Sequence, residues 1–298
     1  MKIPLSSPDI SELEIEYVNR VLRSNHLSLG PVLTEFEEKF AAYSGTRYAI
    51  ACNSGTSALH MCVRALGLGK EAEVITSSFS FVASVNCLLY EGVLPRLIDI
   101  DPETLNIDAN LIRDFLRNKC VQNRAGEVFS KESGRIVKAI LPVHVFGLPA
   151  DMDAITEIAS EYGLAILEDA CEAIGAEFRG ERVGTFGNAA VFAFYPNKQM
   201  TTGEGGMVVT DDVKIAERCR SLRNQGRDVD GRWLKHVTLG YNYRLSDIQA
   251  ALGLAQLERI DELLAKRASV AERYLRLLRS EDSLTLPKTT SRVKRSWF

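Results

Sequence analysis

The stretch Tyr48-Ala49-Ile50-Ala51-Cys52-Asn53-Ser54-Gly55-Thr56-Ser57-Ala58-Leu59-His60-Met61-Cys62-Val63-Arg64-Ala65-Leu66 contains a strand, a turn and a helix in one short run. Tyr48–Cys52 is apolar with almost no polar alternation, which marks a strand covered on both faces. Thr56–Leu66 carries helical spacing, and Ser54 and Gly55 before it suit a helix start. The same order recurs along the chain. Glu73–Thr76, Leu94–Ile100, Ile136–Val145, Leu164–Glu168, Ala189–Phe194 and Met207–Thr210 read as further strands. Phe81–Tyr90 and Asp151–Tyr162 read as helices, the second closed by Gly163. Apolar strands separated by helices predict an α/β fold whose mostly parallel sheet is covered on both faces.

Composition sets bounds on what this fold does. The 298 residues fit about two domains. Hydrophobic residues make up 46% and charged residues 25%, a globular balance. The 36 Lys and Arg against 39 Asp and Glu leave a net charge of −3, which gives no electrostatic reason to expect nucleic acid or an anionic membrane as partner. No apolar run approaches the roughly 20 residues of a membrane span. The opening Met1-Lys2-Ile3-Pro4 has no apolar core behind it, so no secretory leader is expected. The six cysteines contain no Cys-x-x-Cys pair, and most sit in apolar contexts. They read as reduced, buried thiols of a cytoplasmic protein. The four histidines show no metal-ligand spacing, so no metal site is expected.

The pattern changes near residue 240. We divide the chain into a large α/β domain over 1–240, with 1–30 as an N-terminal arm, and a second unit over 241–298. Ser246 can cap a helix, and Leu245 to about Leu278 holds helical periodicity without proline, as expected of one long bridging helix. The polar stretch 118–135 reads as a solvated surface insertion and 283–290 as a linker. Lys288, Arg292, Lys294 and Arg295 read as a solvated basic tail, and Arg292–Phe298 as the first half of a strand.

Three motifs have residues suited to chemistry, and each also has an ordinary reading. Asn53-Ser54-Gly55-Thr56-Ser57-Ala58 opens a helix, whose free N–H groups can cradle a phosphate or simply be capped. Glu168-Asp169-Ala170 ends a buried strand, where ligands bind in open α/β sheets and where an acid can also just cap a helix. Lys198 follows a buried strand through Pro196-Asn197 and precedes Thr201-Thr202-Gly203-Glu204-Gly205-Gly206, whose glycines imply unusual angles or close packing. It is either a surface lysine or one whose surroundings make it a nucleophile for carbonyls. Together the three match the handles of pyridoxal 5'-phosphate: a helix start for the phosphate, a carboxylate for the ring nitrogen and an amine for the aldehyde.

With these motifs in order, the chain resembles the DegT/DnrJ/StrS aminotransferases, which have the aspartate-aminotransferase type fold (fold type I). The likeness runs from about Ile3 to the end. It includes Pro4-Leu5-Ser6-Ser7-Pro8-Asp9-Ile10, Leu27-Ser28-Leu29-Gly30-Pro31, Ser80-Phe81-Val82-Ala83-Ser84, Pro142-Val143-His144-Val145-Phe146-Gly147 and Gly240-Tyr241-Asn242-Tyr243-Arg244. The resemblance implies a mostly parallel seven-stranded sheet in the large domain and a small C-terminal domain that is truncated here. It implies that Lys198 joins the cofactor covalently and moves the proton. Asp169 would pair with the ring nitrogen, Phe81 stack on the ring, and Gly55, Thr56 and Ser57 hold the phosphate. Glu172 stands near the ring hydroxyl, where the family often has Gln. Asn242 would reach the phosphate of a neighbouring subunit, implying a homodimer with shared active sites. The substrates implied are an amino-acid donor, L-glutamate, and a nucleotide-linked keto-sugar, with the product going to a cell-surface polysaccharide or similar. Ala193-Phe194 stands where many members carry a phosphate-binding serine. The rival readings are a sugar dehydratase of the same family, which would lack Lys198, a truncated, non-catalytic remnant or regulatory subunit, and another fold type I enzyme such as a desulfurase or lyase, against which no cysteine sits on a recognisable catalytic loop.

Overall fold

The computed structural model describes residues 6–228, 235–288 and 291–298. Met1–Leu5 of the expected arm, which include the residues read for a leader, and Thr289 and Thr290 of the expected linker lie outside the described residues. In chain order the elements are α1 (Glu12–Leu22), α2 (Pro31–Ser44), β1 (Tyr48–Cys52), α3 (Gly55–Ala65), β2 (Ala72–Ser77), α4 (Ala83–Leu89), β3 (Leu94–Ile98), α5 (Ala109–Lys119), β4 (Cys120–Gln122), β5 (Val128–Ser130), β6 (Ile136–Ile140), α6 (Met152–Tyr162), β7 (Ala165–Asp169), β8 (Glu177–Phe178), β9 (Glu181–Arg182), β10 (Ala189–Ala193), β11 (Gly206–Thr210), α7 (Val213–Arg223), α8 (Asp247–Glu258), α9 (Ile260–Leu278) and β12 (Val293–Lys294).

The large sheet runs β1-β11-β10-β7-β6-β2-β3. From β10 to β3 each neighbouring pair is parallel, and β11 is antiparallel to both its neighbours. The reversal at β11 follows from its connection: no helix lies between β10 and β11, so the chain cannot make the long crossover a parallel neighbour needs. This path is the expected mostly parallel sheet, and the β4–β5 hairpin adds to β6 to bring it to nine strands.

Strand side chains alternate between cores on the two faces. In β1, Ile50 packs with Leu59, Val63 and Leu222 on one face, and Ala49 and Ala51 pack with Phe36, Phe40 and Leu254 on the other. A third cluster holds Ile75, Ile140 and Ile166 beneath α5 and α6. Strands β1, β2, β7, β10 and β11 therefore need apolar residues on both sides, which is why their runs read as continuous.

Several expectations change. The strand expected over Ile136–Val145 stops at Ile140, and a short 3-10 turn at Val145–Gly147 follows. Pro142 in that span has no N–H to continue a ladder. The helix expected over Leu245–Leu278 is two helices broken at Arg259 (φ −104°, ψ 9°). Nothing local forces that break; Arg259 is held from outside by Asp9 at 3.0 Å and Glu14 at 2.8 Å. Ser246 does cap α8, in a reciprocal capping box with Gln249. The stretch 118–135 is not a solvated loop. It closes α5 and forms the β4–β5 hairpin, which buries Cys120, Val128 and Ser130 against the sheet and leaves most of its other residues exposed. The tip is a turn built on Asn123 Oδ1, which accepts from Ala125 N and Glu127 N, each at 2.9 Å. The basic tail stays exposed at Lys288, Arg292 and Lys294, as expected, with surface pairs to Glu103 at 2.6 Å, Asp153 at 3.7 Å and Glu177 at 2.8 Å, whereas Arg295 is half-buried and donates from Nε to Phe146 O at 3.1 Å. Val293 and Lys294 pair with β8, making a three-stranded sheet β12-β8-β9.

Candidate active site

A cavity of about 690 Å³ opens at the carboxyl ends of β7 and β10, in the size range of small-molecule sites. Its walls include Gly55, Thr56, Phe81, Asp169, Glu172 and Lys198, brought together from four separate parts of the chain. Ser57 and Asn242 are not among its lining residues. The Ser57 hydroxyl is turned to Ser54, accepting from Ser54 Oγ at 2.9 Å. Asn242 is exposed and pairs through its backbone with Asn224.

The start of α3 forms one end of the cavity. The first N–H groups of a helix have no partner within it. At α3 two of these belong to Gly55 and Thr56, both on the cavity wall, while the Ser57 N–H is taken by Ser54 Oγ at 3.1 Å. Gly55 is required by packing: a β-carbon there would stand 2.8 Å from Ala193 Cβ and 3.1 Å from Cys171 Sγ.

The paired acids at the end of β7 point to opposite faces and have different partners. Glu168 is fully buried; its oxygens accept from Gly184 N, Phe186 N and Gly187 N at 2.8–2.9 Å. His144 Nε2 lies 3.0 Å from Glu168, and His144 Nδ1 accepts from Ala150 N at 3.0 Å, so Nε2 carries the proton and donates to the carboxylate. Glu168 is therefore a structural tie. Asp169 is 5% exposed and faces the cavity. Its Oδ2 accepts from Ser84 Oγ at 2.6 Å and its Oδ1 from Cys171 N at 3.2 Å.

Lys198 Nζ lies 3.5 Å from Glu172 Oε1 and 4.2 Å from the centroid of the Phe298 ring. The other carboxylate oxygen of Glu172 accepts from Phe146 N at 3.0 Å. Phe146 has φ +51°, a left-handed angle that is rare for a bulky residue, and Glu172 helps hold it there. Phe146 stacks on Phe298 with an interplanar angle of 7° and meets Phe79 edge-on. Burial, with the Asp169 carboxylate next in effect, pushes the Cys171 thiol on the cavity wall well above its usual pKa, which disfavours the thiolate.

The residues fit pyridoxal phosphate. An amine, a buried carboxylate, a helix start and an exposed aromatic at Phe81 share one cavity, and the buried Asn197 Oδ1 on its wall has no hydrogen-bond partner among the described residues. Sequence reading gave no role in this site to Phe146, Phe298, Cys171 or Ser84, although Phe146 and Ser84 stand inside motifs that carry the family likeness. Each gains its role from a contact with a distant residue, which periodicity does not record.

Residues 8–298 match the DegT/DnrJ/EryC1/StrS aminotransferase family. The chain belongs to this family. It is 41% identical over 288 residues to a GDP-perosamine synthase of Caulobacter vibrioides, covering 96% of this chain and 73% of that protein. It is 36% identical over 299 residues to a putative pyridoxal phosphate-dependent aminotransferase, EpsN, of Bacillus subtilis, covering 100% and 74%. Among solved structures it resembles S. venezuelae DesV in complex with a ketimine intermediate, with a TM-score of 0.85, 37% identity and coverage of 95% and 71%. Among the described residues of this family member, no helix is long and apolar enough to cross a membrane. Nor do they hold a cluster of three or more His, Cys, Asp or Glu side chains able to bind a metal ion.

Proposed function

We propose that this protein is a pyridoxal-phosphate-dependent aminotransferase that moves an amino group from L-glutamate to a nucleotide-linked keto-sugar. The observation that carries this reading is that Lys198 and Asp169 line one cavity with the start of α3. Family membership supports the transfer of an amino group, and relatives named GDP-perosamine synthase support a sugar-nucleotide acceptor.

When bound, pyridoxal phosphate supplies a ring that takes up the electron pair left on a substrate carbon. The chain's own residues do the rest. The N–H groups of Gly55 and Thr56 hold the phosphate, with Ser57 fixing the helix start behind them. Asp169 holds a proton on the ring nitrogen; a charge-assisted bond of this kind contributes about 1.5–3 kcal/mol. Phe81 would lie against the ring face. Glu172 would sit near the ring hydroxyl, and it holds Lys198 at 3.5 Å. Lys198 would supply the amine that holds the cofactor, and it is placed to carry a proton to and from the substrate carbon in both half-reactions. Asn242 reaches the phosphate of a second copy, so the working unit is a homodimer. In this reading residues 1–240 carry the cofactor, and 241–298 begin a second domain that shapes the mouth of the site.

The test is the visible spectrum of the purified chain with pyridoxal phosphate, before and after L-glutamate. We expect a band that borohydride fixes as a mass adduct on Lys198, and that L-glutamate shifts before fixation. GDP-linked and other nucleotide keto-sugars would then restore the first band. An adduct absent from Lys198, or a band indifferent to every amino acid, would overturn the reading.

A further inference from the structure

Asn197 and Lys198 lie in a turn outside any strand or helix, so the backbone ladder does not satisfy their carbonyl oxygens. Arg267 of α9 does. Its Nη2 donates to Asn197 O at 2.9 Å and to Lys198 O at 2.6 Å, and its Nη1 donates to Trp297 O at 3.4 Å. Arg267 is partly buried, and burial lowers its pKa. No carboxylate pairs with it among the described residues. A desolvated cation without a counter-ion is costly, so its three carbonyl contacts are the gain that sets against that cost. They also join three distant pieces of chain at one point: the lysine turn, the segment ending at Phe298, and the helix expected to bridge to a second domain. The same junction is reinforced by Gln199, whose Nε2 donates to Ser296 Oγ at 3.2 Å. Phe298, next to Trp297, is the ring that stands 4.2 Å from Lys198 Nζ.

We propose that Arg267 is a positioning residue for Lys198: its planar fork locks the Asn197–Lys198 turn to Trp297, and so fixes both the direction from which Lys198 enters the cavity and the place of Phe298 beside it. This rests on Lys198 being the reacting amine. Arg267 touches neither substrate nor cofactor and acts only through the lysine's backbone.

The test uses the full chain with Arg267→Gln and Arg267→Lys. Lysine keeps the charge but presents one nitrogen in place of two, so it cannot hold the Asn197 and Lys198 carbonyls and reach Trp297 O at the same time. In the cofactor-free protein, pyridoxal followed by borohydride labels accessible amines, and peptide mapping gives the yield at Lys198 relative to surface lysines. Both variants are expected to lower that ratio. With pyridoxal phosphate and L-glutamate, the single-turnover rate constant at saturating L-glutamate is expected to fall about 10²-fold while the half-saturating concentration stays within about threefold, the pattern of a misplaced reacting group. A wild-type labelling ratio and single-turnover rate in Arg267→Lys would overturn the proposal, whatever happens to the unfolding midpoint. If Arg267→Gln does not fold, Arg267→Lys decides alone. If no keto-sugar or amino acid is ever turned over, the proposed function fails, and the labelling ratio still decides the role of Arg267.

Discussion

A β-carbon added at Gly206 would stand 2.4 Å from Ser54 O and 2.7 Å from Gly55 N, both backbone atoms that cannot swing aside. Gly205 is confined by side chains, its missing β-carbon 2.2 Å from Thr202 Oγ1 and 3.2 Å from Phe194 Cδ2. Of the two readings open for this glycine run, close packing holds at these positions, and a left-handed backbone holds at Gly203 with φ +79°. The packing matters because it presses the first residue of β11 against the start of α3. Gly206→Ala is therefore expected to destabilise the chain by about 3 kcal/mol, the upper end of overpacking costs. It should also weaken pyridoxal phosphate binding, because the helix start is what moves. Urea unfolding and a cofactor titration check both, and an unchanged urea midpoint would refute the packing argument. Lys198, Asp169 and Phe81 were legible from their neighbours in the sequence, since each sits in a local motif. Phe298, Ser84 and Arg267 were not, because each gains its meaning from a residue far away in the chain.

Helix α1 docks on α8 through a small polar cluster that no pattern announces. Glu14 is 1% exposed, and burial works to raise its pKa. Hydrogen bonds from Ser11, Gln256 and Arg259 outweigh that and hold it at about 2. Asp9 is lowered too, by hydrogen bonds from Lys266 and then Arg259. A carboxyl whose folded pKa lies below its unfolded value stabilises the fold above the unfolded pKa and loses that contribution as pH falls toward the folded one. The docking of α1 should therefore weaken between about pH 5 and about pH 2. The urea midpoint should fall across that window, and Glu14→Gln should flatten part of the fall. A Glu14→Gln chain that titrates like the wild type would remove Glu14 from this account. The same cluster explains why one expected helix became two. Helical periodicity continues through Arg259, but the ties to Asp9 and Glu14 fix that residue off the helical path. Periodicity records which faces are apolar and says nothing of a charged side chain pulled sideways.

At the scale of the whole molecule, Asn242 is exposed and absent from the cavity wall of its own chain, as a residue serving a neighbouring site would be. If the site is shared between two copies, Lys198→Ala and Asn242→Ala chains are each inactive alone. Mixed and re-annealed, half of the dimers pair one of each, and each such dimer holds one intact site, so about a quarter of wild-type activity should return. No recovery on mixing, with dimers present by light scattering, would place Asn242 outside the site. The sequence by itself determined the α/β class, the mostly parallel sheet and the motifs that hold Lys198, Asp169 and the α3 start. These depend on local chemistry: strand runs covered on both faces, helix caps, and glycines where side chains do not fit. Only the tertiary structure decided that the polar stretch after α5 is a hairpin on the sheet, and that α8 and α9 part at Arg259. It also brought Phe146 and Phe298 to stand beside Lys198 and Arg267 to hold its turn. Those outcomes depend on contacts between residues tens to hundreds of positions apart, which close only when the sheet has set the distances between them.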